Sequence, residues 1–149
     1  MKYSEKVLEK LYNLLLLNHE VEKLYNEAFE LVKDSNFRSF FKGQALERNE
    51  FGEELKKEIG KLGGNQKESL AFGRAFYLKR MNFKNLIKLQ AEDQLLSEVC
   101  AIKEASINNY NGVLMERNLP LSLCKILIKQ RDHIQVKLNV LKREEMFVA

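Results

Sequence analysis

The chain has 149 residues, with 25 Lys or Arg against 21 Asp or Glu and a formal net charge of +4. One Pro, seven Gly, no Trp and long Leu/Lys/Glu-rich stretches read as one all-α domain over residues 1–149. Apolar runs reach only four residues, as at Leu14 to Leu17, and the opening Met1-Lys2-Tyr3-Ser4-Glu5-Lys6 is charged, so neither a membrane helix nor a secretory leader is expected and the cytoplasm is the expected location.

Residues 4–33 carry the first helical pattern. Leu8, Leu11, Leu15, Asn18, Glu22, Tyr25, Phe29 and Val32 recur at alternating steps of three and four. Leu14, Leu17, Val21, Leu24, Ala28 and Leu31 form a second stripe beside them, and two stripes make the broad face of a helix with two neighbours. Asp34-Ser35-Asn36 supplies stop and cap chemistry. A second helix is expected over 36–62, with Phe37, Phe41, Gln44, Arg48, Phe51, Leu55 and Leu62 on its seam. A connection this short makes the first two helices antiparallel neighbours.

Gly63-Gly64-Asn65 ends the second helix. A short helix is expected from Ser69 to Arg80, and Glu92-Asp93 opens a third long helix reaching Arg117. Its inward residues read as Leu96, Cys100, Lys103, Ile107, Tyr110 and Leu114. Asn118-Leu119-Pro120 forms a tight turn into a fourth long helix that ends near Glu145. The stretch over 63–90 is long for a simple turn, whereas a crossover along a neighbouring helix must cover ~40 Å. The pattern therefore predicts a long crossover between the second and third long helices, containing a short helix.

The cysteines, Cys100 and Cys124, are expected to stay reduced. With the turn at Asn118-Leu119, Cys100 is level with Lys137, ~20 Å along the helix from Cys124, and a disulfide needs Cα atoms within ~7 Å.

The stretches LNHEVEKLYNEA (17–28), FFKGQALERNEFGEELKKEIGKLGG (40–64) and KEASINNYNGVL (103–114), with Arg48-x-x-Phe51 and Leu62-Gly63-Gly64 inside them, resemble the ferritin-like superfamily. The resemblance is to a bacterial branch of four-helix-bundle proteins of unassigned function. It implies a ferritin-like four-helix bundle and a stress or iron-related setting. Di-iron members take one Glu from each of two helices and a Glu-x-x-His from each of the other two. The resemblance puts the single Glu seven residues before an inward Tyr, which lands on Asn18 and Lys103 here. The Glu-x-x-His pairs fall on Arg48-x-x-Phe51 and Gln130-x-x-His133, so one imidazole remains of the ligand types.

Charge argues in the same direction. A di-metal site needs several carboxylates, and Arg48 and Lys103 are cations. The expected product is a polar core network of Asn18, Glu22, Arg48, Lys103, Gln130 and His133, with Glu22 opposite Arg48 as its carboxylate. Lys103 is expected level with Ile134, next to His133. No metal or other cofactor is expected; the alternative is iron or another divalent metal held by Glu22, Glu104 and His133. His133 also reads as a structural, hydrogen-bonded histidine, and Asn18-His19-Glu20 is a weak surface-metal pattern.

Between Ser69 and Ala91 lie Arg74, Lys79, Arg80, Lys84 and Lys88 with no acidic residue, interleaved with Phe72, Phe76, Tyr77 and Phe83. Such a segment fits an anionic partner, a membrane surface or nucleic acid, or a crossover that buries its aromatics on the bundle and solvates its lysines. The second is favoured. No phosphate loop, paired-cysteine motif or nucleophile–base triad is present, so an enzyme is not the leading expectation. The leading reading is a non-catalytic bundle that acts through a protein partner or a second copy of itself.

Overall fold

The computed structural model describes residues 2–64, 83–89 and 92–148, and their side chains over 5–64, 83–89 and 93–143. All regular structure among the described residues is helical. The elements are α1 (Lys2–Leu31), α2 (Ser35–Lys61), a short helix described over 83–88 (α3), α4 (Glu92–Leu114) and α5 (Leu121–Val148). The helix expected over Ser69 to Arg80 lies outside the described residues. No helix among those described is long and apolar enough to cross a membrane.

α1 buries Val7, Leu11, Leu14, Asn18, Val21, Tyr25 and Ala28, a seam drawn from both predicted stripes. Asp34 caps α2: its side chain accepts from the Phe37 amide at 3.4 Å and its carbonyl from Arg38 at 2.9 Å. α2 buries Phe41, Gln44, Ala45, Arg48, Phe51, Leu55, Glu58 and Ile59. It closes in a Schellman motif, with the Gly64 amide donating to the Ile59 carbonyl at 2.9 Å and Gly63 to Gly60 at 3.0 Å. Gly63 takes φ 79°, a left-handed conformation that suits glycine.

α4 buries Leu95, Val99, Ile102, Lys103, Ser106, Tyr110 and Val113. The predicted Leu96, Ile107 and Leu114 lie on the flank of that seam, only partly buried. α4 ends three residues before the predicted Arg117, and Asn118 turns the chain with φ 61°. The Pro120 carbonyl accepts the first bond of α5 from Cys124 at 3.0 Å. Neither cysteine forms a disulfide; Cys100 is buried and Cys124 half-buried.

Side-chain contacts fix the helix directions. Tyr25 meets Phe41, with ring centroids 6.0 Å apart, and Arg48 meets Asn18, so α1 and α2 are antiparallel. Tyr110 meets Gln130 and Glu104 meets Lys142, so α4 and α5 are antiparallel. Lys10 reaches Gly112 and Asn18 reaches Tyr110, which runs α1 against α4. Glu47 reaches Lys137 and Ser122 reaches Glu58, which runs α2 against α5. From α3, Phe83 is buried edge-on against Phe41 at 5.8 Å and Lys84 lies 3.8 Å from Glu27.

Gly64 also lies tight against the end of α2 and the start of α1. A Cβ there would sit 2.5 Å from Ile59 Cγ2, 2.8 Å from Tyr12 Oη and 2.9 Å from Leu8 Cδ2. Ile59 is β-branched and fully buried, so it has little room to yield. Gly64→Ala is expected to cost about 1–3 kcal/mol in urea unfolding. A loss below about 0.5 kcal/mol, the level of an ordinary surface change, would show that the contact relaxes freely.

Candidate functional site

Polar side chains occupy the middle of the core. Asn18, Arg48, Lys103, Ser106 and Gln130 are each at most 1% exposed, and Gln44 is 5% exposed. Each sits on an apolar seam, which is why the helices carry them inward. A buried polar group needs a partner, and the partners here form a directed chain. The Arg48 guanidinium donates through Nη1 to Asn18 Oδ1 at 3.0 Å and through Nη2 to Ser106 Oγ at 3.1 Å. The Asn18 amide donates to the Leu14 carbonyl at 3.0 Å and to the Tyr110 hydroxyl at 3.1 Å. Tyr110 donates to Gln130 Oε1 at 2.5 Å. Gln130 donates to the Phe51 carbonyl at 3.2 Å and to the Glu54 carboxylate at 3.3 Å. A cation heads this chain and a carboxylate ends it, so every donor points one way.

Lys103 stands beside that chain. Its Nζ donates to Gln44 Oε1 at 2.5 Å and lies 5.7 Å from the centroid of the Tyr25 ring. Burial pushes its ammonium down to about 7 from the usual 10.5, the Arg48 charge pushes the same way, and Glu47 opposes both. Burial likewise raises Tyr110 to about 12. It raises Tyr25 as well, against the pull of the nearby Arg48 charge. The Tyr25 hydroxyl is buried and makes no hydrogen bond of ordinary geometry.

The predicted site residues divide. Asn18, Arg48 and Gln130 come together, with Lys103 beside them. Glu22 does not join. It flanks the buried seam, half in solvent, and its carboxylate takes the Asn49 amide at 3.3 and 3.4 Å, so the expected Glu22–Arg48 pair does not form. Arg48 instead has the neutral partners Asn18 and Ser106. His133 is exposed and only lays its ring edge-on to Phe51, 6.3 Å away. The buried seam of α5 runs through Leu127, Gln130, Ile134 and Leu138 and leaves His133 on its solvent side. The depth also differs from expectation: Tyr110 meets Gln130, Asn111 meets Arg131 and Glu104 meets Lys142, so Lys103 lies level with residues beyond Ile134. The turn pivots near Pro120, later than the predicted Asn118-Leu119.

The alternative metal set of Glu22, Glu104 and His133 is likewise dispersed. Glu104 is exposed and pairs with Lys142 at 2.8 Å. Among the described residues no group of three or more His, Cys, Asp or Glu is placed to hold a metal ion. The chemistry of the buried donors points the same way. Two cations and amides already engaged do not fit a di-iron centre. Of the basic segment, Arg74, Lys79 and Arg80 lie outside the described residues, Lys84 is drawn toward Glu27, and Lys88 is exposed.

Sequence reasoning missed Ser106 and Gln44 as members of the network, and Glu58 altogether. Glu58 is 2% exposed near the start of α5, with Oε2 at 3.4 Å from both Ser122 Oγ and Lys61 Nζ. Ser106 was readable from its spacing, three residues after Lys103 and four before Tyr110. Glu58 follows Leu55 by three, the same signal on α2.

A groove of about 230 Å³ between α1 and α2 opens from solvent onto the network, with Arg48 in its lining beside Leu15, His19, Glu22, Asn49 and Gly52. The family model described as Domain of unknown function (DUF2383) matches residues 6–116. The chain belongs to that family. The match takes in Asn18, Gln44, Arg48, Lys103, Ser106 and Tyr110, so the family's span holds the network apart from its Gln130 end. No curated protein and no solved structure matches the chain.

Two outcomes follow from the geometry. Arg48→Ala removes a large buried side chain and the donor of two acceptors, and is expected to cost about 3 kcal/mol in urea unfolding. Arg48→Met keeps most of the volume without the buried charge and should recover at least half of that loss. If Met proves as costly as Ala, the hydrogen bonds and not the volume hold the site.

The Lys103 shift gives a pH dependence. The folded protein releases this proton near pH 7 and the unfolded chain only near its ordinary value, so between those limits the unfolded state binds more protons and stability rises with pH. From about pH 7 to about pH 9.5, wild type should gain about 2–3 kcal/mol relative to Lys103→Met. Above about pH 10 the raised Tyr110 reverses the slope, because the unfolded tyrosine ionises first. A flat difference across the lower window would place Lys103 in contact with water.

Proposed function

We propose that the chain is a cytoplasmic ferritin-like four-helix bundle whose metal centre is replaced by a hydrogen-bonded polar core. In this reading it acts without catalysis of its own, through a protein partner or a second copy of itself. The observation that carries the reading is the pair of buried cations, Arg48 and Lys103, among positions the ferritin-like pattern gives to carboxylates. The helix directions support the bundle. α1 runs against both α2 and α4, so α2 and α4 are parallel and the chain between them returns along the helices. The side-chain contacts of Phe83 and Lys84 with the opposite end of the molecule agree with that path.

The surface favours association over chemistry. Leu121, Ile128, Val136 and Val140 expose 70, 41, 61 and 40% of their area along the outer side of α5. Apolar residues at helical spacing on an outer face are suited to another helix. The altered metal site drops behind because Glu22, Glu104 and His133 lie apart. Binding to a membrane or nucleic acid through 69–91 drops behind because Phe83 is buried and Lys84 faces Glu27.

The test joins metal analysis with association. After incubation with ferrous iron and desalting, the protein is expected to retain no stoichiometric iron. In sedimentation equilibrium it is expected to self-associate, and Ile128→Glu with Val136→Glu to leave a helical monomer. Two irons per chain would overturn the reading and restore redox chemistry. A monomer that captures no protein from its own cell lysate would remove the interaction role.

A further inference from the structure

The donors around the core cations outnumber their acceptors. Arg48 donates to Asn18 and Ser106 and approaches the Tyr25 oxygen as well, and Lys103 engages one of its three N–H groups, all with neutral oxygens. The Tyr25 hydroxyl, fully buried, has the Arg48 guanidinium as neighbour and no acceptor placed for its proton. These three side chains come from α1, α2 and α4 and converge, since the Lys103 Nζ lies over the Tyr25 ring and both feel the Arg48 charge.

Charge is out of balance in the same place. Facing Lys103 are Tyr25 from α1, Gln44, Glu47 and Arg48 from α2, Cys100 on its own helix and Lys137 from α5. Glu47 is the one carboxylate in that set, and it is held by Lys137 at 2.6 Å. The carboxylate that ends the Arg48 chain, Glu54, is separated from it by Asn18, Tyr110 and Gln130 and also lies 3.9 Å from Lys129. Neither buried cation is bonded to a carboxylate.

We propose that Arg48, Lys103 and Tyr25 hold a small monovalent inorganic anion of halide size in the core between α1, α2 and α4. One such ion supplies a negative charge and accepts from the remaining donors of the three side chains, as charge-assisted hydrogen bonds in a dry site require. A small ion is proposed because a dry, close-packed interior disfavours an oxyanion as large as phosphate. The groove lined by Arg48 supplies the way in, and its rim carries both signs through Glu22, Glu53 and Lys56. The site inverts the charge of a metal centre, with cationic side chains around an anion. It does not depend on how the protein acts on its partners.

Binding is linked to protonation. An anion favours the ammonium form of Lys103, so it binds more tightly at low pH and weakens as that proton leaves. Thermal unfolding is measured in sodium chloride and in sodium gluconate, whose anion is too large for the core, at matched ionic strength. At about pH 6 the midpoint is expected to lie about 3 °C higher in chloride. The difference should shrink at about pH 9 and vanish in Lys103→Met, which keeps the side-chain volume and removes one of the two buried charges. Chloride NMR line broadening gives a direct readout, expected in wild type and lost in both Lys103→Met and Tyr25→Phe. Equal midpoints in the two salts overturn the proposal. So does the same chloride effect in wild type and Lys103→Met, which would assign it to surface charge.

Discussion

Arg48 carries a permanent charge at 1% exposure and hands it to neutral oxygens on two other helices, Asn18 of α1 and Ser106 of α4. Removing a guanidinium from water is costly, and only hydrogen bonds of fixed geometry offset the loss. That requirement sets the positions of α1, α2 and α4 relative to one another. A slip of one helical turn along any of them would move a partner about 5.4 Å and leave the charge unsolvated. Apolar seams tolerate such slips far better, because one Leu replaces another. The stability of the molecule rests on its apolar seams, and its register on this charge.

The chain of bonds that leaves Arg48 extends the constraint to α5. Asn18, Tyr110 and Gln130 each accept from the residue before and donate to the next, until the Glu54 carboxylate closes the series back on α2. Because the donor sense never reverses, the cation at one end and the anion at the other polarise each link in the same direction. A reversed amide would set donor against donor between Arg48 and Asn18, and acceptor against acceptor between Gln130 and Glu54. The series therefore specifies side-chain orientation as well as helix position.

Much of this was legible in the sequence, and the limits have physical causes. Steps of three and four gave the inward faces of α1 and α2, and put Gln44, Arg48 and Phe51 on the α2 seam that the structure buries. The same periodicity fixes a face only to within one residue. On α4 it selected Leu96 and Ile107 where Leu95 and Ser106 are buried. Glu22 shows a second limit. Spacing placed it near Arg48, but a carboxylate on a flank retains its hydration by taking Asn49 at the surface. Depth across α4 and α5 depended on an assumed pivot, and the chain turns nearer Pro120. His133 is in solvent for a separate reason, since the buried α5 seam passes through Gln130 and Ile134 and leaves it on the outer side.

The two buried cations play different parts because their chemistry differs. Arginine cannot release its proton at any pH a cell encounters, so the desolvation strain falls on lysine. Lys103 accordingly titrates near 7 while Arg48 remains charged. A neutral amine still donates to Gln44, so the loss of that proton removes charge from the core without removing the bond that ties α4 to α2. The geometry of the network thus survives a change of net charge at its centre. A core built this way keeps its helix register while its electrostatic demand rises and falls with pH, which a metal centre dependent on ionised carboxylates cannot do.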